Sequence, residues 1–208
     1  MTDPRLWDTL EATKAGAYER LLASPCCPGP GDMLLAVAAE FRPVAAGRVS
    51  FRLDELARTL FDVAAARDPR AASYRLATLL TDRLGFRTDD SSLDGLWMDV
   101  ALERRAGHPL ALAVIAAEIG RRAGIEVGIC STPAGWYAGI GEPERLWLID
   151  PVLDPGPTPA GPVRRHCGHE VGVAALTGIY ARLLRDGDEL GAHRAARLRG
   201  RLPVSRHA

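Results

Sequence analysis

Apolar residues recur every three or four positions along the first half of the chain, with polar residues between them. This period is typical of helices that bury one face. It predicts helices over residues 4–23, 33–41, 52–66 and 69–84. Asp3 before Pro4, Asp32, and Asp68 before Pro69 are the expected N-caps, because a short acidic side chain accepts hydrogen bonds from the first N–H groups of a helix.

The pattern changes after residue 92. Helical spacing continues over 93–105 and 109–123, alternating apolar segments follow at 125–130, 136–140 and 146–149, and helical spacing returns at 174–185 and 189–199. The short connections between the three strands favour an antiparallel sheet packed on the helix that precedes it. The predicted fold class is α+β, with a helical region over residues 1–92 and a core over 93–208 that together form one compact unit.

The helix predicted over residues 109–123 is the most apolar of the chain. Pro109 suits its first turn, where the missing N–H group would have no partner in the helix. No charged residue follows until Glu118. We therefore expect five of its side chains to be mostly buried: Leu112, Ala113, Ile115, Ala116 and Ile119.

Charge and composition exclude several classes of protein. The chain has 208 residues with 26 basic and 26 acidic side chains, so its formal net charge is zero. We expect no nucleic-acid partner and no membrane partner, because nothing gives the protein a basic field and no apolar run approaches the ~20 residues that span a bilayer. The start of the chain lacks a basic and then apolar signal region, which predicts a cytoplasmic protein. The four cysteines are then expected to be thiols.

A series of short motifs resembles the SirB-type branch of the transglutaminase-like family. The matching residues are Leu84-Gly85-Phe86, then Leu96, Val100, Leu102-Glu103-Arg104-Arg105, Gly107 and Pro109, then Arg122, Gly124 and Ile125, and finally Ile149-Asp150-Pro151. The likeness extends over roughly residues 50–204. It implies a transglutaminase-like core made of one central helix and a small antiparallel sheet, which agrees with the fold predicted from periodicity.

The resemblance also implies a catalytic triad that this chain does not retain. Active members of the family have a Cys at the start of the central helix, a His on the next strand and an Asp after it. Pro109 stands at the Cys position, Gly135 at the His position, and only Asp150 remains. We therefore expect a catalytically divergent binding or regulatory module, whose ligand is an unknown protein or small molecule.

Two other functions stay open. An enzyme could reuse the same cleft for amide or acyl chemistry with His108, Asp150 and a relocated cysteine, for which Cys130 is the candidate. A purely structural role within a complex is the third possibility. In either module or enzyme, we expect the ligand to contact four residues that border the predicted cleft: Arg104, Pro109, Trp136 and Tyr137.

Each of the three candidate catalytic residues also has a structural interpretation. His108 is interpreted first as a polar residue at the N-cap of the central helix. Cys130 lies on a predicted strand, where a cysteine usually fills apolar space. Asp150 either orients a donor from another segment or caps the turn before Pro151. The structural interpretation is favoured for His108 and Cys130, and the two interpretations of Asp150 are balanced.

The segment His166-Cys167-Gly168-His169 has the densest group of metal-ligand side chains. Zinc requires three or four converging ligands, of which Cys167 and His169 could supply two. The others would come from Cys26, Cys27 or Cys130, and nothing in the spacing requires it. We therefore predict no metal and no other cofactor. The chain has no phosphate-binding loop, dinucleotide motif or Gly-x-Ser-x-Gly elbow, which disfavours nucleotide hydrolysis and α/β-hydrolase chemistry.

Overall fold

The computed structural model describes residues 16–60, 68–142, 145–149 and 162–203. Helices make up most of the first half: α1 (Ala17–Ala23), α2 (Pro30–Ala39), α3 (Ala46–Arg58) and α4 (Pro69–Thr78), with a π-helical turn at Leu79–Arg83. A 3-10 turn (Leu93–Leu96) and α5 (Met98–Arg104) follow. Two short strands, β1 (Arg87–Thr88) and β2 (Ala106–Gly107), pair in parallel on either side of this segment.

The second half contains the central helix and the main sheet. The central helix α6 is Pro109–Arg122, and the strands are β3 (Val127–Thr132), β4 (Gly135–Ile140), β5 (Trp147–Ile149) and β6 (Arg164–His166). The strand order is β5-β4-β3-β6, and all neighbours are antiparallel. Helices α7 (Gly168–Arg185) and α8 (Glu189–Arg199) complete the chain. The predicted α+β class and the antiparallel pairing of the three predicted strands are confirmed.

Some predicted boundaries are wrong, for identifiable reasons. Helix α2 begins at Pro30 after Gly29, so Asp32 is inside its first turn and is not its N-cap. Proline is well suited to that first position, because it lacks only an N–H group that would be unpaired there. Helix α7 begins at Gly168, six residues before the predicted start, and α3 likewise begins at Ala46. The predicted cap at Asp68 is confirmed, since its side chain accepts a hydrogen bond from the backbone N–H of Arg70.

The central helix is enclosed by the core. The five side chains predicted to be buried, Leu112, Ala113, Ile115, Ala116 and Ile119, are each at most 1% exposed. All of these except Ala113 pack in one cluster with α3, α4 and one face of the sheet, which includes Ile129, Ala138 and Ile149. A second apolar cluster joins α1 and α2 to α7 and α8. None of the helices in the described ranges combines the length and the apolar character needed to cross a bilayer.

Candidate functional site

The start of the central helix is closed by its own capping residue. His108 Nδ1 accepts a hydrogen bond from the backbone N–H of Leu110 at 3.1 Å, and His108 N–H donates to Gly95 O at 2.8 Å. Pro109 follows as the first residue of α6. Burial lowers the pKa of His108, partly opposed by the charge of Asp90. A neutral imidazole whose Nδ1 lone pair is engaged acts as a cap, which is the interpretation favoured from the sequence.

Strand β3 follows the end of the central helix and packs against it. A Cβ at Gly120, near the end of α6, would lie 2.5 Å from Val127, the first residue of β3. A tight turn at residues 133–134 then leads into β4, whose first residue is Gly135, with φ +156°. A glycine here offers no side chain to accept a proton.

The two aromatic residues expected to contact a ligand lie on opposite faces of the sheet. Trp136 packs against the core cluster that contains α6. Tyr137, the next residue, packs with Cys130, Leu146 and Leu148 on the other face. This alternation follows from the two-residue period of a strand.

Cys130 lies on the face of the sheet that does not contact the central helix. It is fully buried and pairs with Tyr137 across the β3–β4 ladder. Burial raises the pKa of its thiol to about 11. A thiol that is neutral at physiological pH and enclosed by apolar side chains behaves as a core residue.

Two further residues expected at the site are Arg104 and Asp150. Arg104 forms an ion pair with Asp94, with 2.8 Å between Nη2 and Oδ2, and more than half of its side chain is exposed. Asp150 lies outside the described residues, so its placement relative to His108 is not part of the structure.

A different set of polar side chains meets on the face of the sheet toward the central helix. Ser131 Oγ lies 2.7 Å from His166 Nε2, and His166 Nδ1 lies 3.8 Å from Glu170 Oε2. The His166 ring contacts the Trp136 ring with 4.6 Å between centroids, and its side chain is only 8% exposed. The order of hydroxyl, imidazole and carboxylate is that of an activated serine, but the 3.8 Å between His166 and Glu170 is longer than a hydrogen bond.

The strand β6 produces this arrangement. Ile129 on β3 pairs with His166 on β6, so the two side chains share the face toward α6, and Ser131 is two residues farther along that face. Burial lowers the pKa of His166, while the Glu170 carboxylate opposes this effect. Glu170 is held in turn by the backbone N–H of Cys167, which donates to its Oε2 at 3.0 Å, and by an ion pair with Arg164.

Three potential metal ligands meet beside this group, at the start of α7. The Sγ atoms of Cys27 and Cys167 and a ring nitrogen of His169 all lie within 4.8 Å of one another. Cys27 belongs to the loop between α1 and α2, far from the others in sequence. It is one of the three cysteines that the sequence analysis left open as a source of further ligands.

Comparison with known families gives a match over the middle of the chain. The model of the transglutaminase-like superfamily matches residues 47–154, just over half of the 208 residues. The chain belongs to the transglutaminase-like superfamily. Comparison with curated proteins and with solved structures gave no match. The match includes Pro109 and Gly135, where the family resemblance places a nucleophile and a base.

The transglutaminase-like domain also contributes to a large open cleft away from the sheet. The cleft has a volume of about 1030 Å³ and lies between the end of α2, α3 and α5. Its lining includes five arginines and three carboxylates: Arg42, Arg48, Arg52, Arg105, Arg194, Glu40, Asp99 and Glu103. Arg42 pairs with Asp99 and Arg194 with Glu40. The lining has two more arginines than carboxylates, and one of these arginines, Arg52, pairs with Glu55 beside the cleft.

Two features of this cleft favour a ligand with negative charge and an apolar part. Arg48 forms no ion pair with any residue in the described ranges, and Arg42 Nε is buried with no hydrogen-bond partner there. Phe51 is 61% exposed at the cleft. The volume is in the range of small-molecule sites in proteins. The sequence analysis missed this cleft, because its arginines come from four separate segments.

Sequence reasoning also missed Ser131 and Glu170. For Glu170 the available signal was its position three residues after Cys167, where a Glu at the start of a helix can accept a hydrogen bond from the N-cap backbone. No such signal existed for Ser131, since its contact with His166 depends on the pairing of β3 with β6.

Proposed function

We propose that this protein is a catalytically divergent member of the superfamily, of the SirB-type branch, that binds a ligand and performs no thiol chemistry at the central helix. The observation that carries this proposal is Pro109 at the first position of α6. Proline offers neither a nucleophilic atom nor an N–H group at the place where the family has its cysteine. The His108 cap and the buried Cys130 support it, because neither is disposed to replace the missing groups.

The ligand site that we propose is the cleft beside α3. Its excess of arginine favours an anion such as a carboxylate, sulfonate or phosphate, because guanidinium groups donate paired hydrogen bonds to these groups. Phe51 and the apolar wall formed by Val44 and Val49 favour a ring or hydrocarbon part. We infer a small molecule that combines the two.

A fluorescent aromatic sulfonate, anilinonaphthalene sulfonate, tests the cleft directly. We expect saturable binding of this dye to the folded protein. Arg48→Gln should weaken the binding about fivefold, because one exposed charge contact contributes about 1 kcal/mol. Arg58→Gln is the matched control, since Arg58 is also exposed on α3 but does not line the cleft. Equal effects of the two substitutions, or no saturable binding, would contradict the proposal.

A hydrolytic or acyl-transfer enzyme is the second candidate, favoured by the contact of 2.7 Å between Ser131 and His166. In this function Ser131 Oγ would attack the carbonyl carbon of the substrate, while its proton passes to His166 Nε2. The bond from the carbonyl carbon to the leaving group would then break, and the leaving group would take that proton from His166. Glu170 would hold the imidazole and stabilise the cation that forms. These residues replace the trio of His108, Asp150 and Cys130 expected for such an enzyme.

A fluorophosphonate probe distinguishes the second candidate from the first. An activated serine forms a phosphonate ester with the probe, so the enzyme hypothesis predicts labelling of Ser131 that is lost in His166→Gln. Ser91 is an internal control: its hydroxyl donates to Asp89 Oδ1 at 2.6 Å, and it is hydrogen-bonded to a carboxylate instead of a histidine. Labelling of Ser131 no faster than Ser91 would exclude the second candidate.

A further inference from the structure

A cysteine from the loop between α1 and α2 meets a cysteine and a histidine at the start of α7. Cys27 Sγ lies 3.6 Å from His169 Nδ1, with 142 residues between them in sequence, and Cys167 Sγ lies within 4.8 Å of both. We propose that Cys27 Sγ, Cys167 Sγ and His169 Nδ1 bind one Zn²⁺ ion. This site is separate from the arginine cleft and from the Ser131 group, and it does not depend on the proposed function.

The distances agree with tetrahedral zinc. Zinc bonds of about 2.3 Å to sulfur and about 2.0 Å to nitrogen place two ligand atoms of a tetrahedron about 3.5 Å apart. The observed 3.6 Å between Cys27 Sγ and His169 Nδ1 is close to this value. Cys167 Sγ lies within 4.8 Å of both atoms, and it also accepts a hydrogen bond from the backbone N–H of Glu170, which zinc binding would have to replace. Two thiolates and one imidazole favour a soft ion such as zinc over magnesium or calcium, which prefer oxygen ligands.

The backbone holds the loop with Cys27 against the helix with the other two ligands. A Cβ at Gly168 would lie 2.0 Å from Pro28 O, so only a glycine allows this approach. Pro28 also limits the backbone conformations of Cys27, the residue that precedes it. Cys167, which precedes Gly168, is the second ligand. Its backbone is fixed by the hydrogen bond that its N–H donates to Glu170 Oε2. The three ligands therefore stand on a constrained scaffold before any ion binds.

The backbone at the start of α7 faces the sulfur of Cys27. The N–H groups of His169 and Gly168 point toward this sulfur and would stabilise a thiolate bound to a cation, whereas burial and the neighbouring Cys167 raise the pKa of the Cys27 thiol while no cation is bound. Burial lowers the pKa of His169, which favours the neutral imidazole that binds metals. Zinc would displace the thiol protons of Cys27 and Cys167 into solvent, and the two thiolates would balance its charge.

Three protein ligands leave a fourth position of the tetrahedron for water. Catalytic zinc sites keep such an open position, whereas structural sites usually have four protein ligands. Cys26 is next to Cys27 and is exposed, which makes it the one further cysteine of this loop. We assign the fourth position to water, and Cys26 serves as the control that tests the assignment.

The experiment measures metal content and cobalt spectra of the full chain under reducing conditions. We expect one zinc ion per chain by elemental analysis, and a Co²⁺-substituted protein with thiolate charge-transfer bands and the strong visible absorption of tetrahedral cobalt. Cys27→Ser and Cys167→Ser should each lower the zinc affinity more than roughly 100-fold. Loss of a residue that only hydrogen-bonds to a metal ligand usually has a smaller effect. Cys26→Ser should keep full occupancy.

A further variant separates the loss of a ligand from the loss of folding. Gly168→Ala keeps all three ligands but displaces Pro28, so it should weaken zinc binding while circular dichroism shows a folded protein. The proposal would be overturned if the reduced wild-type protein binds neither zinc nor cobalt. It would also be overturned if Cys26→Ser loses the metal as completely as Cys27→Ser.

Discussion

Glu118 shows how one charged residue can connect two helices within an apolar core. Its side chain is buried and pairs with Arg121 and Arg122 on its own helix. Its Oε1 also accepts a hydrogen bond from the backbone N–H of Gly31 at 3.1 Å, in the first turn of α2. Helix α2 therefore obtains one N-terminal hydrogen bond from a residue 87 positions away, which no local capping pattern could predict.

The neighbouring Asp32 makes the stability depend on pH. Burial and the charge of Glu118 raise the pKa of Asp32 from 3.8 to about 6, although Arg122 and Arg121 oppose the shift. Between pH ~4 and pH ~6 the native state binds more protons than the unfolded state, so the free energy of unfolding should fall as the pH rises. Asp32→Asn should remove this pH dependence and stabilise the protein at pH 7 by roughly 2 kcal/mol. This value is smaller than the full pKa shift of Asp32 implies, because the side chain is partly exposed.

Urea titrations of both proteins between pH 4 and pH 7 measure the effect. Glu55→Gln, which removes a carboxylate at the surface of α3, controls for the general change in charge. Parallel curves for the wild-type protein and Asp32→Asn over this range would contradict the prediction.

Cys130 should be the least reactive cysteine of the native protein. It is fully buried, and its thiol has a pKa of about 11, so only a fraction on the order of 10⁻⁴ is thiolate at pH 7. Alkylation with iodoacetamide, followed by mass spectrometry of each cysteine peptide, should show Cys130 labelled far more slowly than the exposed Cys26. Rapid labelling of Cys130 with a parallel loss of ligand binding would restore it as a candidate nucleophile.

At the scale of the elements, periodicity predicted those that bury an apolar face. The central helix and the three strands β3, β4 and β5 follow their patterns closely. Strand β6 consists of Arg164, Arg165 and His166, without apolar alternation, so its place in the sheet depends on pairing with β3. The early start of α7 has a similar cause: Gly168 and Gly172 are poor helix formers, but they allow close contacts with Pro28 and Met33.

The contact between the central helix and the sheet should not tolerate a larger residue. Ala116 is fully buried at this contact. Ala116→Leu should destabilise the protein by about 1–3 kcal/mol, because extra methylene groups force neighbouring side chains and backbone to move. Ala181→Leu on the exposed side of α7 is the control. A denaturant titration that shows no difference between the two variants would exclude a tight contact at Ala116.

At the candidate site, the sequence predicted which catalytic groups are missing better than it predicted which side chains meet. Pro109, Gly135 and the capping role of His108 could be predicted, because each follows from local chemistry or from position in a motif. The meeting of Ser131 with His166, and of Cys27 with His169, could not, since both contacts join segments separated by 35 and 142 residues. The cluster at residues 166–169 was recognised, but its third ligand remained one of three cysteines.

At the scale of the whole molecule, the first described helix is fastened to the last. Tyr18 is fully buried and its hydroxyl donates to Leu198 O at 2.8 Å, while Glu19 forms an ion pair with Arg201. Residues from α1, α2, α7 and α8 share one apolar cluster around this contact. The two ends of the described chain therefore stabilise each other.

Tyr18→Phe should test this contact with little change in shape. The loss of one buried hydrogen bond should lower the free energy of unfolding by about 1 kcal/mol. Tyr74→Phe, at a tyrosine that is 61% exposed, is the matched control and should be neutral. Urea denaturation of both variants measures the difference, and equal stabilities would indicate that the Tyr18 hydroxyl contributes nothing.

The late position of β6 in the chain has a consequence for synthesis on the ribosome. Strands β3, β4 and β5 are complete once residue 149 has emerged, but β3 then lacks the partner that covers its other edge. A nascent chain at this stage presents unpaired N–H and C=O groups along the edge of β3 at residues 129–131, which can template pairing with another polypeptide. Premature termination between β5 and β6 should therefore yield a product prone to aggregation, and chaperones that hold such intermediates should be needed until the final helices have been translated.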